Sequence, residues 1–168
     1  MRKLLLPLAF IAVFSLGFTA AKLMDEKPAA PAGHVTGVGG IFFKAENPDS
    51  LKKWYTQMLG MPTDKYGTNF VWYQGADSTQ HGYTQWSVFG KKTTYFGPSQ
   101  KEFMINYRVD NLDIMMKRFR ENNVTICDTV ATYDYGRFVH IMDPDGNKIE
   151  LWEPNDDNYG KFQGATVK

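Results

Sequence analysis

His140 and Glu150 are the residues of this chain best spaced to do chemistry together. They lie in the stretch Tyr135-Gly-Arg-Phe-Val-His-Ile-Met-Asp-Pro-Asp-Gly-Asn-Lys-Ile-Glu-Leu-Trp-Glu-Pro154. Arg137 to Met142 alternates and is rich in β-formers, Asp143 to Asn147 is dense in turn residues, and Lys148 to Trp152 alternates again, which predicts a β-hairpin. A simple register sets Met142 against Lys148 and His140 against Glu150, so an imidazole and a carboxylate face each other on one side of the sheet. A carboxylate beside an imidazole fixes the ring's tautomer and raises its pKa, which suits general acid–base catalysis. The same pair could be half of a metal site or an ordinary cross-strand contact. A slip of one residue would carry His140 to the other face.

Composition narrows the functions open to such a pair. The chain has 168 residues, 43% of them hydrophobic and 15% aromatic, enough for one domain with a real core and an aromatic-lined cavity. A net charge of +1 with no concentrated basic face excludes nucleic acid as a partner. A single cysteine, Cys127, excludes an intramolecular disulfide and C-x-x-C redox or zinc chemistry; in its apolar run it is expected to be a buried structural thiol.

The N-terminus carries Arg2 and Lys3, an apolar run from Leu4 to Phe18, and small residues at Thr19 to Ala21, the pattern of a signal peptide over residues 1–21. Cleavage after Ala21 lowers Lys plus Arg from 19 to 17 against 18 Asp plus Glu, giving a net charge of −1. The expected location is periplasmic or secreted, with no stable membrane insertion after cleavage. An uncleaved membrane anchor is the alternative. Residues 22–33, with Pro28 and Pro31, read as a flexible tether. Residues 34–154 read as the folded domain and 155–168 as a C-terminal tail.

Two strand–helix units position the pair. Asn47 is an N-cap followed by Pro48, and Leu51, Trp54, Tyr55, Met58 and Leu59 form a helical stripe that ends at Gly60 and Pro62. Asn111 begins a second helix with Leu112, Met115, Met116 and Phe119 as its stripe. The two caps are 64 positions apart, and strands are expected before and after each helix: Val35 to Lys44, Phe70 to Gln74 and Thr84 to Phe89, then Phe103 to Val109, Thr125 to Thr132 and the hairpin. The turn-like segment Ala76 to Gly82 falls between the first set, and Gly90 to Lys101 joins the halves. The fold class is α+β, with helices on one side of a largely antiparallel sheet.

Three motifs carry a resemblance: Gly39-Gly-Ile-Phe-Phe-Lys-Ala-Glu-Asn-Pro48 leading to Trp54-Tyr55 and Leu59-Gly60-Met61; Phe103-Met-Ile-Asn-Tyr-Arg-Val-Asp-Asn-Leu112; and Asp143-Pro-Asp-Gly-Asn-Lys-Ile-Glu-Leu-Trp-Glu-Pro154. Over about residues 34–154 the chain resembles the vicinal oxygen chelate (VOC) superfamily of glyoxalases, bleomycin-resistance proteins and ring-cleaving dioxygenases. The resemblance implies two βαβββ modules, about 34–90 and 102–154, forming a curved, mainly antiparallel cup with the helices outside. It also implies four metal-ligand points, near Gly40, Trp86 (or Ser87 with a one-residue offset), Met104 and Glu150. Only Glu150 is a hard ligand, so no cofactor is expected, and a divalent metal would have Glu150 alone.

Alternation then predicts a cup lined by Phe42, Trp86, Met104, Asn106, Arg108 and Trp152, with Arg108 available to a ligand carboxylate or phosphate. Gly39 and Gly40 are expected at a bulge or a close backbone approach. His34 and His81 read as surface residues, and the tail is expected to drape over a neighbouring strand through Tyr159 and Phe162. The expected function is binding of a small, partly apolar molecule without the family's metal. The alternative is a lyase, isomerase or dioxygenase-like enzyme, metal-dependent or using Glu150 and His140 as an acid–base pair. Pairing of modules within the family also makes a homodimer an open expectation.

Overall fold

The computed structural model describes residues 32–75, 77–162 and 164–167. The expected signal peptide, with its anchor alternative, and residues 22–31 of the tether lie outside the described residues.

Among the described residues nine strands form one curved, open sheet: β1 (Val35–Ala45), β2 (Thr68–Gln74), β3 (Asp77–Gly90), β4 (Phe103–Val109), β5 (Thr125–Ile126), β6 (Ala131–Tyr133), β7 (Gly136–Met142), β8 (Lys148–Pro154) and β9 (Thr166–Val167). The helices among the described residues are α1 (Pro48–Leu59), α2 (Leu112–Glu121) and α3 (Asp156–Tyr159). The sheet order is β5-β7-β8-β4-β1-β3-β2-β9, with β6 paired to β7. β1 and β4 meet antiparallel at the centre, and each runs parallel to the last strand of its own half, β3 or β8. The two expected units lie side by side in one curved sheet; the second follows its helix with β5 to β8, whereas the first has only β2 and β3 after α1, and the C-terminal β9 takes its outer edge.

Both predicted caps form. Asn47 Oδ1 accepts from Ser50 N at 3.0 Å, and Asn111 Oδ1 accepts from Ile114 N at 3.0 Å. α1 closes on Gly60 in the left-handed region (φ 65°). α2 buries Leu112, Met115, Met116 and Phe119 against Val109, Val139, Ile141 and Leu151, the main core. α1 behaves differently. Tyr55 packs on Trp86 at 4.8 Å, but Trp54, Met58 and Leu59 remain exposed. Its buried residue is Lys52, whose Nζ donates to Lys65 O and pairs with Asp49, both at 3.1 Å. The stripe marks the apolar side of α1, but the sheet meets only one edge of it.

Three connecting segments depart from expectation. The turn-like stretch Ala76 to Gly82 is largely strand: the chain reverses at Gly75 and β3 runs from Asp77, because Trp72 and Tyr73 pair with Gly82 and His81. Gly82 is needed there, since a Cβ would lie 2.5 Å from the Trp72 ring. The strand expected from Thr125 to Thr132 breaks at 127–130, leaving β5 and β6 on either side. The tail is anchored at two places: α3 docks its Asp156 on Arg108, and β9 joins β2 as a parallel edge strand.

Candidate functional site

The concave side of the sheet holds a cavity of about 390 Å3. Glu150 lies on its floor, 4% exposed, and the strand registers fix its neighbours. β7 sets His140 opposite it, and β4 sets Asn106 beside it. The predicted hairpin register is the one observed, including Met142 against Lys148. The turn is built as its residues dictate: Asp143 Oδ1 accepts from the backbone of Asp145 and Asn147, and Gly146 takes φ 78°.

Three donors converge on the Glu150 carboxylate. Oε1 meets His140 Nε2 at 2.9 Å and accepts from the Tyr95 hydroxyl, while Oε2 accepts from Asn106 Nδ2 at 2.5 Å. The other face of the imidazole is also held: His140 Nδ1 lies 2.6 Å from Asp128 Oδ2, and His140 N donates to Asp128 Oδ1 at 2.8 Å. An ionised carboxylate only accepts, so the form of His140 that satisfies both partners is the imidazolium. Burial works against charge on the ring, but the hydrogen bond and charge of Glu150, then Asp128, outweigh it, and the His140 pKa is raised. Burial likewise works against the Glu150 carboxylate, but hydrogen bonds from His140, Tyr95 and Asn106 prevail and hold its pKa below the usual glutamate value. Burial, then the Glu150 charge, pushes the Tyr95 phenol well above its ordinary value, so it stays a donor.

The walls are aromatic. Tyr133 stacks on Tyr135 (centroids 5.3 Å, planes 3° apart), and Phe138 stacks on Trp152 (5.7 Å, 7°). Tyr159 crosses from the tail to close one side, its hydroxyl donating to Asn69 Oδ1 at 2.8 Å. Burial raises its pKa to about 12.

Of the residues expected at the site, His140, Glu150, Phe42, Asn106 and Trp152 border the cavity. Three do not. Trp86 is on the opposite face, buried against Phe43 and Tyr55 on the helix side. Phe42 pairs with Ser87 as Asn106 pairs with Glu150, so Ser87 is the counterpart of Glu150, and one residue of offset reverses the face. Met104 is fully buried with Phe42 and Phe96 rather than lining the cavity. Arg108, 2% exposed, is sandwiched between Trp72 and Trp152 and bound two-fold by Asp156 (2.9 and 2.6 Å), so its charge is already matched inside the protein. Gly39 is a close approach as expected: a Cβ there would lie 2.1 Å from Asn106 Oδ1.

Sequence reasoning missed Tyr95, Asp128 and the wall roles of Tyr133, Tyr135, Phe138 and Tyr159. Tyr95 lies in the 90–101 segment that joins the halves; the aromatic pair Tyr95-Phe96 is the signal that this segment packs inward, and Phe96 is fully buried. Asp128 interrupts an apolar run, and aspartate is a poor strand residue. The strand breaks there and the carboxylate turns onto His140.

These residues do not fit the metal centre that the resemblance implies. Gly40 has no side chain, Met104 is sequestered, Trp86 faces the helix, and its cup-side neighbour Ser87 donates its hydroxyl to Tyr66 O. The carboxylate of Glu150, the remaining hard donor of the set, is held by three protein donors. Among the described residues no group of three or more His, Cys, Asp and Glu is arranged to hold a metal ion.

The family model described as Glyoxalase/Bleomycin resistance protein/Dioxygenase superfamily matches residues 33–151. The chain is similar in fold to methylmalonyl-CoA epimerase from Mycobacterium tuberculosis, with 19% identity, 79% of this chain and 97% of that chain covered, and a TM-score of 0.54. A second solved structure, methylmalonyl-CoA epimerase in complex with methylmalonyl-CoA and NH4+, is 12% identical over 73% of this chain and 96% of that chain, with a TM-score of 0.50. The Mn(II)-bound glyoxalase from Novosphingobium aromaticivorans is 17% identical over 81% of this chain and 42% of that chain, with a TM-score of 0.49. No curated protein matches. The chain belongs to the glyoxalase/bleomycin resistance protein/dioxygenase superfamily.

Proposed function

We propose that this superfamily member binds a small, partly apolar molecule in its cup, without the metal centre used by many of its relatives. The observation that carries this reading is the pairing of the floor. Glu150 is engaged by His140, Tyr95 and Asn106, and its lowered pKa makes it a weak base, so the charges at the bottom of an aromatic cavity are matched within the protein. Such a floor orients a ligand by polar contacts while the aromatic walls supply the contact area.

A second reading, a metal-independent acid–base enzyme, is favoured by one feature: His140, Glu150 and Tyr95 all border the same cavity. In that reading His140 gives up a proton to the carbonyl oxygen of the substrate while a water takes the proton from the adjacent carbon, the reverse transfers return both, and Glu150 holds the ring in position. Incubation of candidate carbonyl substrates in deuterated water separates the two readings. Solvent exchange lost in His140→Gln favours the enzyme, and binding without exchange favours the cup.

Metal analysis of the purified protein tests the main reading. The expected result is substoichiometric nickel, zinc, iron and manganese, with a small molecule retained in native mass spectrometry. Stoichiometric metal that disappears in Glu150→Ala overturns it. Export is part of the proposal and rests on the basic, apolar and small-residue order of residues 2–21. A mature N-terminus at Lys22 is expected, and an intact Met1 in the membrane fraction would favour an anchor.

A further inference from the structure

The charge and geometry of the walls narrow the class of molecule that the cavity would take. Tyr133, Tyr135 and Phe138 form a three-ring corner: the two tyrosines are stacked, and each meets Phe138 edge-on, at 66° and 67°. Unlike Trp152, backed by Arg108 at 5.1 Å, and Tyr95, backed by Lys148 at 5.3 Å, these three rings have no described cation over their faces. Asp128 precedes the strand that carries Tyr133 and borders the same cavity, with its side chain 42% exposed. Its two oxygens reach His140, yet each keeps a second lone pair.

The lining carries two carboxylates, Asp128 and Glu150, against one imidazole, and among the described residues no Lys or Arg borders it.

We propose that the cavity selects an organic cation, an ammonium group carried on an apolar ring, with the cationic end in the corner of Tyr133, Tyr135 and Phe138 beside Asp128. Aromatic faces attract ammonium groups through their quadrupoles, and the nearby carboxylate adds to the same field. Anionic molecules meet a lining with net negative charge and no guanidinium or ammonium partner. This inference rests on the binding-cup reading above and adds the sign of the ligand's charge to it.

Titration calorimetry with three probes of similar size tests it on the full chain: benzyltrimethylammonium, benzyl alcohol and benzoate. The expected order is the cation at least about tenfold tighter than the alcohol, with no saturable benzoate binding. Asp128→Asn should weaken the cation about tenfold and leave the alcohol within about twofold. Because Asp128 also holds His140, Tyr133→Leu, on an exposed ring, serves as a second variant and should weaken the cation in the same way. Benzoate or benzyl alcohol binding as tightly as the cation overturns the charge selectivity while leaving the binding cup standing. Failure of all three to bind overturns both.

Discussion

The two halves of the sheet share a frame, a first strand followed by a helix and paired parallel to the last strand of its half, but bury different things. In the second half α2 sinks four apolar side chains into the core, and the cup face of β8 carries Glu150 at the centre of a charged cluster. In the first half α1 leaves Trp54, Met58 and Leu59 in solvent, and the position equivalent to Glu150 is Ser87, which makes a single hydroxyl donation to Tyr66 O and receives Gln85 Nε2. The duplicated frame thus supports two roles. One half holds the hydrophobic core and the ionised floor. The other supplies a neutral amide and hydroxyl wall with a thinly packed helix.

The sharpest way to break this contrast is at the equivalent floor positions. Glu150→Ala leaves His140, Asn106 and the Tyr95 hydroxyl without their shared acceptor in a buried site and is expected to cost about 3–5 kcal/mol. Ser87→Ala should cost about 1 kcal/mol, since it removes two neutral hydrogen bonds and the Gln85 Nε2 that loses its acceptor still donates to Tyr66 O and Trp86 O. Urea unfolding of both variants checks the pair, and comparable losses would mean that the cluster does not distinguish the halves. In the core, Met116→Ala on α2 should destabilise by about 2–5 kcal/mol, as expected for a buried methionine whose removal leaves a cavity.

Acidity offers a second contrast, and its sign is fixed by the two shifts. His140 has a raised pKa, so its contribution is fully present below its ordinary 6.5 and is lost as pH rises through the folded value. Glu150 has a lowered pKa, so its contribution is present above its ordinary 4.5 and is lost as pH falls through the folded value. The cluster therefore stabilises the fold most between those two ordinary values and progressively less on either side. Urea midpoints measured from about pH 4 to pH 9 should show this plateau, and His140→Gln should remove the alkaline limb while Ser87→Ala leaves the profile unchanged.

Much of the second half was legible because its residues act locally. The alternation on either side of Asp143 to Asn147 dictates both the turn and the register, and the register alone brings His140 to Glu150. Asn47 and Asn111 announce their helices for the same reason, since a cap bonds three residues ahead. What the sequence does not disclose is long-range partnership. Tyr95 reaches Glu150 across 55 positions, and Asp156 neutralises Arg108 across 48. No local pattern states that a linker tyrosine or a tail aspartate will fold back. Trp86 failed for a narrower reason: an internal repeat locates a strand, but its face depends on the parity of the offset, and one residue separates the two faces.

The smallest expected effect bears on α1. Met58 and Leu59 are each 62% exposed, although they lie on the same kind of stripe that α2 buries. Met58→Ala should therefore change stability by no more than about 0.5 kcal/mol, the range for surface positions, and the better helix propensity of alanine partly offsets the thinner packing it leaves. Set beside Met116→Ala, this gives two methionines on equivalent helices with effects several-fold apart. The difference arises from the sheet beneath them rather than from the helices. Val109, Val139, Ile141 and Leu151 present a continuous apolar floor to α2, whereas α1 turns Lys52 and Tyr55 inward. A loss above about 1 kcal/mol for Met58→Ala in urea unfolding at low protein concentration would show that this stripe is covered in solution and that the two halves are more alike than their packing indicates.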